Sequence, residues 1–131
     1  MSPENTRRRI LIVEDEAALA KLVKWQLESA GYEVHTEADG RGGLTYAAEH
    51  QPDLVVLDLR LPDISGYEVC RELRKLSTPW ALPILMLTAM DKPVDELRGF
   101  AHGADAYLTK PFDSDELRRT VTLLLGQSAT V

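Results

Sequence analysis

Asp53-Leu54-Val55-Val56-Leu57-Asp58-Leu59-Arg60-Leu61-Pro62 is the stretch whose reading decides the fold. Leu54 to Leu57 is an unbroken apolar run, rich in β-branched residues, set between Pro52-Asp53 and Pro62-Asp63. A run that short and continuous reads as a strand covered on both faces, hence a central parallel strand. Asp58 stands where that strand ends. Ligands of open α/β sheets bind outside the carboxyl ends of the strands, so this carboxylate lies at the mouth of a candidate site. Taken alone, Asp58 reads equally well as a cap of the following loop. The residues that end the other strands decide between the two.

Outward from that stretch, apolar runs alternate with helical patterns. Arg9 to Val13 predicts the first strand and runs directly into Glu14-Asp15-Glu16. Ala17 to Ala30 predicts a helix with Leu19, Leu22, Val23 and Leu27 on one face, stopped by Gly31. Tyr32 to Thr36 predicts strand two, and Gly40 to His50 a short helix with Leu44, Ala47 and Ala48 inward. After the central strand, Gly66 to Leu76 predicts a helix with Val69, Cys70, Leu73 and Leu76 on one stripe. Thr78-Pro79-Trp80-Ala81-Leu82-Pro83 predicts a loop, and Ile84 to Leu87 strand four, ending at Thr88-Ala89. Asp91 is a candidate cap for a fourth helix that begins at Lys92-Pro93 and ends at His102-Gly103. Ala106 to Thr109 predicts strand five, ending at Lys110-Pro111. Ser114 to Leu125 predicts the last helix, with Leu117, Val121, Leu124 and Leu125 inward, and Gly126 to Val131 a frayed tail.

Five strand–helix units in alternation imply an α/β protein, a parallel sheet with helices on both faces. Right-handed crossovers make it doubly wound. The expectation is one (βα)5 domain with the flavodoxin-like strand order 2-1-3-4-5, whose switch point lies between strands one and three. Those strands end in Glu14-Asp15 and Asp58. Residues 1–8 are expected to form a flexible lead, 9–125 the domain and 126–131 a flexible tail.

The totals agree with this. A chain of 131 residues with 44% hydrophobic residues suits one domain with a real core. A net charge of −6 argues against direct nucleic-acid binding by this domain. Arg7-Arg8-Arg9 reads as a solvated lead-in to the first strand. The single cysteine, Cys70, rules out an internal disulfide and suits a reducing compartment. Met1 to Thr6 carries no signal-peptide pattern. Apolar runs such as Ile84 to Leu87 fall far short of the ~20 residues a membrane span needs. A cytoplasmic protein with no membrane partner is expected.

Three carboxylates, Glu14, Asp15 and Asp58, converge from two adjacent strand ends in this topology. Unpaired, they would repel and raise one another's pKa. A divalent cation relieves that, and all-oxygen ligation by few protein groups suits Mg²⁺. No histidine or cysteine clusters with them, which disfavours zinc. Strand four adds the hydroxyl of Thr88 and strand five the ammonium of Lys110. Hydroxyl, ammonium and metal around a carboxylate make a cradle for a phosphoryl group, with Asp58 as acceptor.

With these residues in view, the chain resembles the receiver domain of response regulators, the phosphoacceptor half of two-component signalling. The matching pieces are Ile12-Val13-Glu14-Asp15-Glu16, Leu57-Asp58-Leu59-Arg60-Leu61-Pro62 with Gly66, Leu87-Thr88-Ala89, and Gly103-Ala104-Asp105-Ala106-Tyr107-Leu108-Thr109-Lys110-Pro111-Phe112. The resemblance implies phosphorylation on Asp58. It implies Mg²⁺ held by Asp15 and Asp58, with Glu14 helping through water and the backbone carbonyl of Arg60 completing the protein ligands. Thr88 and Lys110 would hold phosphate oxygens. Tyr107 would swing from exposed to buried over the small Ala89 on activation, and Lys110-Pro111 would be a cis peptide. Arg60 and Met90, two past the acceptor and two past the threonine, would flank the water that removes the phosphoryl group and so tune its lifetime. The donor would be a histidine kinase or histidine phosphotransfer protein, and an effector or output domain would lie downstream. Beyond transfer and slow self-hydrolysis no enzymatic activity is implied. Glu14 stands where Asp is commoner, and Ala106 where many transcription-factor receivers carry a second Asp. The latter weakens the case for their salt-bridged dimer, although a phosphorylation-dependent dimer stays open.

Other assignments fit less well. A haloacid-dehalogenase-type phosphatase needs a second Asp where Arg60 stands. A flavodoxin needs a hydroxyl- and glycine-rich loop where Glu14-Asp15-Glu16 stands. An interaction module without phosphorylation is the alternative that keeps the fold but leaves the acceptor set idle. Tyr107 also reads as plain packing. Cys70, His35, His50 and His102 read as structural, and Trp25 and Trp80 as packing, with Trp80 and Leu82 a less favoured docking surface. No output domain follows Leu125, so a stand-alone receiver and a part of a longer protein are both open.

Overall fold

A computed structural model describes residues 7–77 and 81–129, with side chains through Gly126. Its elements are β1 (Arg9–Val13), α1 (Ala17–Ser29), β2 (Glu33–Glu37), α2 (Gly40–His50), β3 (Leu54–Leu57), α3 (Gly66–Leu76), β4 (Ile84–Thr88), α4 (Pro93–Ala101), β5 (Ala106–Thr109) and α5 (Ser114–Ala129). The sheet is parallel throughout, in the order β2-β1-β3-β4-β5. This is the doubly wound, flavodoxin-like α/β arrangement.

The continuous apolar runs follow from burial on both sides of the sheet. Side chains alternate between two cores. Ile10 and Ile12 of β1, with Leu54 and Val56 of β3, pack against Val23 and Leu27 of α1 and Leu117, Val121 and Leu125 of α5. Leu11 and Val13, with Val55 and Leu57, pack against Ala47 of α2 and Val69, Cys70 and Leu73 of α3. β3 therefore has no exposed residue. Its register sets Val13 beside Leu57, and the Asp58 N–H donates to the Val13 carbonyl at 3.1 Å. At the other end of the sheet the Lys110 N–H donates to the Thr88 carbonyl at 2.8 Å. Pairing thus carries straight into the residues that follow the strands.

Several local expectations change. β2 is shifted one residue, to Glu33–Glu37, and is mostly only part-buried, as befits an edge strand. Leu22 and Trp25 of α1 are exposed, as are Ala48 of α2 and Leu76 of α3, because each helix buries a narrower stripe than its apolar residues span. Leu124 is only half-buried. Asp91 does not cap α4; Lys92 is the cap residue, and the buried Asp95 carboxylate accepts its N–H at 3.1 Å. α5 runs through Gly126 to Ala129, so the expected tail is helical that far. Leu82 is buried, which removes it from any docking surface, while Trp80 and residues 1–6 of the expected lead lie outside the described residues. Among the described residues no helix is long and apolar enough to cross a membrane.

Candidate functional site

The carboxyl ends of β1, β3, β4 and β5 bring Glu14, Asp15, Asp58, Thr88 and Lys110 to one edge of the sheet. Glu14 and Asp58 are each 6% exposed, and Thr88 is fully buried. Asp15 is exposed. One oxygen from each of Glu14, Asp15 and Asp58 lies within 4.8 Å of the others. Among the described residues no other trio of His, Cys, Asp or Glu converges in this way.

Lys110 spans the cluster. Its ammonium donates to Glu14 Oε1 at 2.8 Å and to Asp58 Oδ2 at 3.1 Å. The other oxygens are placed by backbone. Glu14 Oε2 accepts the Glu16 N–H at 3.1 Å, and Asp58 Oδ1 accepts the Arg60 N–H at 3.3 Å. Burial is the largest influence on the Glu14 carboxyl and holds it above the usual range, against the opposing Lys110 and Glu16 hydrogen bonds. Burial also works against the Lys110 ammonium. The hydrogen bond to Glu14 and the charge of Asp58 outweigh it, and the lysine pKa rises. Three carboxylates face one ammonium, so the cluster keeps negative charge to spare. Its all-oxygen donor set fits a hard divalent cation.

The acceptor loop is built closely around Asp58. Gly66 N–H donates to the Leu59 carbonyl at 2.9 Å and closes the turn. A Cβ on Gly66 would fall 2.3 Å from the Asp58 carbonyl oxygen and 2.6 Å from Leu59 Cα, so only glycine fits there. Ser65 caps α3 by accepting the Glu68 N–H at 3.2 Å. The Arg60 and Ala89 side chains are exposed.

Thr88 and Tyr107 meet at Met90. The Thr88 hydroxyl accepts the Met90 N–H at 3.4 Å, and the Tyr107 hydroxyl donates to the Met90 carbonyl at 2.6 Å. Tyr107 is half-buried, where the resemblance implies a ring that is exposed before activation and plain packing is the other reading. Gly99 makes the room: a Cβ there would sit 3.1 Å from the ring. Burial, followed by the neighbouring Tyr67 and Asp95, pushes the Tyr107 phenol up to about 12. The Lys110–Pro111 peptide is cis.

Sequence reasoning missed Asp63. Its carboxylate collects three backbone N–H groups, two of them from the start of α2. The signal is nonlocal: a Pro-Asp turn alone does not say which helix start it meets.

Residues 10–122 match the response regulator receiver domain family. The chain is 47% identical over 120 residues to the DNA-binding dual master transcriptional regulator RpaA of Synechocystis, covering 92% of this chain and 50% of RpaA. It spans about half the length of the curated relatives it matches. Its fold is similar to a CheY-like receiver domain protein from Methanospirillum hungatei, with a TM-score of 0.87 and 31% identity over 93% of this chain and 96% of that one. It is also similar to the response regulator TrrA of Thermotoga maritima in complex with Mg²⁺-BeF, with a TM-score of 0.81 and 39% identity over 90% of this chain and 99% of that one.

Proposed function

The chain belongs to the response-regulator receiver family of two-component signalling, and on that premise we propose that Asp58 is its phosphoacceptor, loaded from a phosphohistidine on a histidine kinase or histidine phosphotransfer protein. The observation that carries this is the buried Asp58 carboxylate, bridged through Lys110 to Glu14 with Asp15 alongside. An Asp58 oxygen attacks phosphorus, a P–O bond forms, and the P–N bond breaks with the electron pair leaving on the imidazole.

Glu14, Asp15 and Asp58, with the backbone carbonyl of Arg60, would hold Mg²⁺, which supplies positive charge against the phosphoryl oxygens. Lys110 turns its ammonium from Asp58 to a phosphoryl oxygen, and Thr88 offers its hydroxyl to another. Those two shifts reach Met90 and Tyr107 through the contacts at the end of β4, so Tyr107, the small Ala89 and the turn at Pro111 form the switch. Slow self-hydrolysis returns the domain to rest. Family members are not enzymes in the ordinary sense, and here catalysis is confined to loading and unloading the domain's own aspartate. The phosphorylated surface then engages a downstream effector or output domain, or a second copy, in the cytoplasm. RpaA is a DNA-binding regulator; the net charge of −6 argues against direct DNA binding by this domain itself.

The experiment is incubation with acetyl phosphate and Mg²⁺, followed by mass spectrometry of the intact protein. Wild type gains one phosphoryl group and Asp58→Asn gains none while keeping its fold. Stoichiometric labelling of Asp58→Asn would overturn the assignment, and an unlabelled wild type would leave an interaction module that works without phosphorylation.

A further inference from the structure

We propose that Asp63 is a positioning residue for the chemistry at Asp58, tying the acceptor loop to the first turn of α2. This deepens the proposed phosphoacceptor role and rests on it. Asp63 Oδ1 accepts the Gly40 N–H at 2.8 Å and the Ile64 N–H at 2.8 Å, and Oδ2 accepts the Arg41 N–H at 2.9 Å. The Arg41 guanidinium lies 3.9 Å from Oδ2. A loop carboxylate thus occupies free N–H groups of a helix that follows a different strand. Some burial acts against the charge, but the bonds from Arg41, Gly40 and Ile64 outweigh it and hold the carboxyl down at about 2. The tie is charged throughout the neutral range.

What the tie holds is the segment that sets the acceptor's geometry. Asp63 lies inside the turn closed by the Gly66–Leu59 hydrogen bond, and that turn carries the Arg60 N–H that orients Asp58 Oδ1. Beside it, Ile64 seats on bare Gly40, where a Cβ would fall 2.6 Å from Ile64 Cγ1. Polar tie and apolar seat act at the same junction, and so fix the Arg60 peptide relative to β1 and the two acidic residues that follow it. Asp39 supplies the internal comparison. It accepts the Gly42 N–H at 2.7 Å at the same helix start but belongs to that helix's own cap. Asp39 stabilises α2; Asp63 stabilises α2 and places the acceptor loop.

The test compares Asp63→Ala, Asp63→Asn and Asp39→Ala in the full chain. Three quantities are read: the rate of labelling by acetyl phosphate, the Mg²⁺ dissociation constant by calorimetry, and the melting temperature. Asp63→Ala is expected to slow labelling and weaken Mg²⁺ about tenfold, as loss of a group that orients metal ligands does. Asp63→Asn keeps an oxygen for Gly40 and Ile64, and is expected to fall between. Asp39→Ala is expected to melt lower while labelling and binding Mg²⁺ as wild type does. If Asp63→Ala proves too unstable to assay, Asp63→Asn carries the comparison. Equal labelling and Mg²⁺ affinity in the Asp63 and Asp39 variants would reduce Asp63 to a second helix cap and overturn the proposal. Failure of wild type itself to label on Asp58 would instead remove the phosphoacceptor reading beneath it.

Discussion

The phenol of Tyr107 donates to the backbone carbonyl of Met90 at 2.6 Å. Met90 also gives its N–H to the Thr88 hydroxyl, so the end of β4 and the middle of β5 are joined through one residue. Tyr107→Phe removes the donor and leaves the ring. Net loss of one such hydrogen bond costs about 1 kcal/mol, measurable by urea unfolding at neutral pH. The pH dependence has a definite sign. The folded phenol titrates near 12 against an ordinary value of 10.0, so the unfolded chain loses its proton first. The stabilisation is full below the ordinary value and is lost as pH rises through the folded one. Wild type should therefore lose stability relative to Tyr107→Phe across that window. A difference that stays constant would show that the phenol is not held protonated by the fold.

Asp15 is the exposed member of the acidic trio, while Glu14 and Asp58 are buried. Asp15→Asn should weaken Mg²⁺ by about tenfold or more, because a site with few protein ligands loses a charged one. The metal-free variant should melt no lower than wild type, since three crowded anions become two. Unchanged affinity in calorimetry would leave Asp15 as an ordinary residue ahead of α1.

Gly66→Ala places a Cβ against backbone on two sides, at the Asp58 carbonyl and at Leu59 Cα. Backbone cannot step aside as a flexible side chain can. Overpacking of this kind costs about 1–3 kcal/mol, and relief requires the acceptor strand end or the start of α3 to shift. The variant should unfold at lower urea and label more slowly. Wild-type values for both would show that the turn has slack.

The lifetime of the phosphorylated state should be set at Arg60 and Met90. Arg60 has only donors and cannot take a proton from an attacking water. Its side chain is exposed and could pair with a phosphoryl oxygen, and the part-buried, apolar Met90 side chain would fill space that a water needs. Arg60→Asn with Met90→Glu should shorten the decay of labelled protein in Mg²⁺ several-fold. If neither substitution nor the pair changes the decay, these side chains do not control access of water.

The strands were legible where both faces are buried. Leu54–Leu57 and Ile84–Leu87 show unbroken runs because nothing along them meets solvent. The starts of α2 at Gly40 and α3 at Gly66 were read correctly, but their capping side chains, Asp39 and Ser65, were not, and the one cap that was named, Asp91, does not cap α4. β2 was misplaced by one residue because an edge strand alternates weakly. Gly126 did not stop α5, since a glycine ends a helix only where the chain adopts a left-handed turn, as at Gly31 with φ of 102°. At the site, the sequence brings Glu14, Asp15, Asp58, Thr88 and Lys110 to the same sheet edge, because strand order alone does that. It did not show Lys110 resting on Glu14, Tyr107 folded over Met90, or Asp63 on α2. Each of these depends on where a side chain ends up across elements distant in sequence.

Sheet position separates the proposed acceptor from the proposed switch. β3, which leads into Asp58, is laddered on both sides, to β1 and to β4. β5, which carries Tyr107 and leads into Lys110, is laddered on one side only. Displacing β3 would break two sets of backbone hydrogen bonds at once, whereas β5 can slide or tilt against one. If Asp58 is the phosphoacceptor as proposed, charge arriving there meets the more firmly held strand, and β5 is the neighbour with fewer backbone bonds to resist a shift.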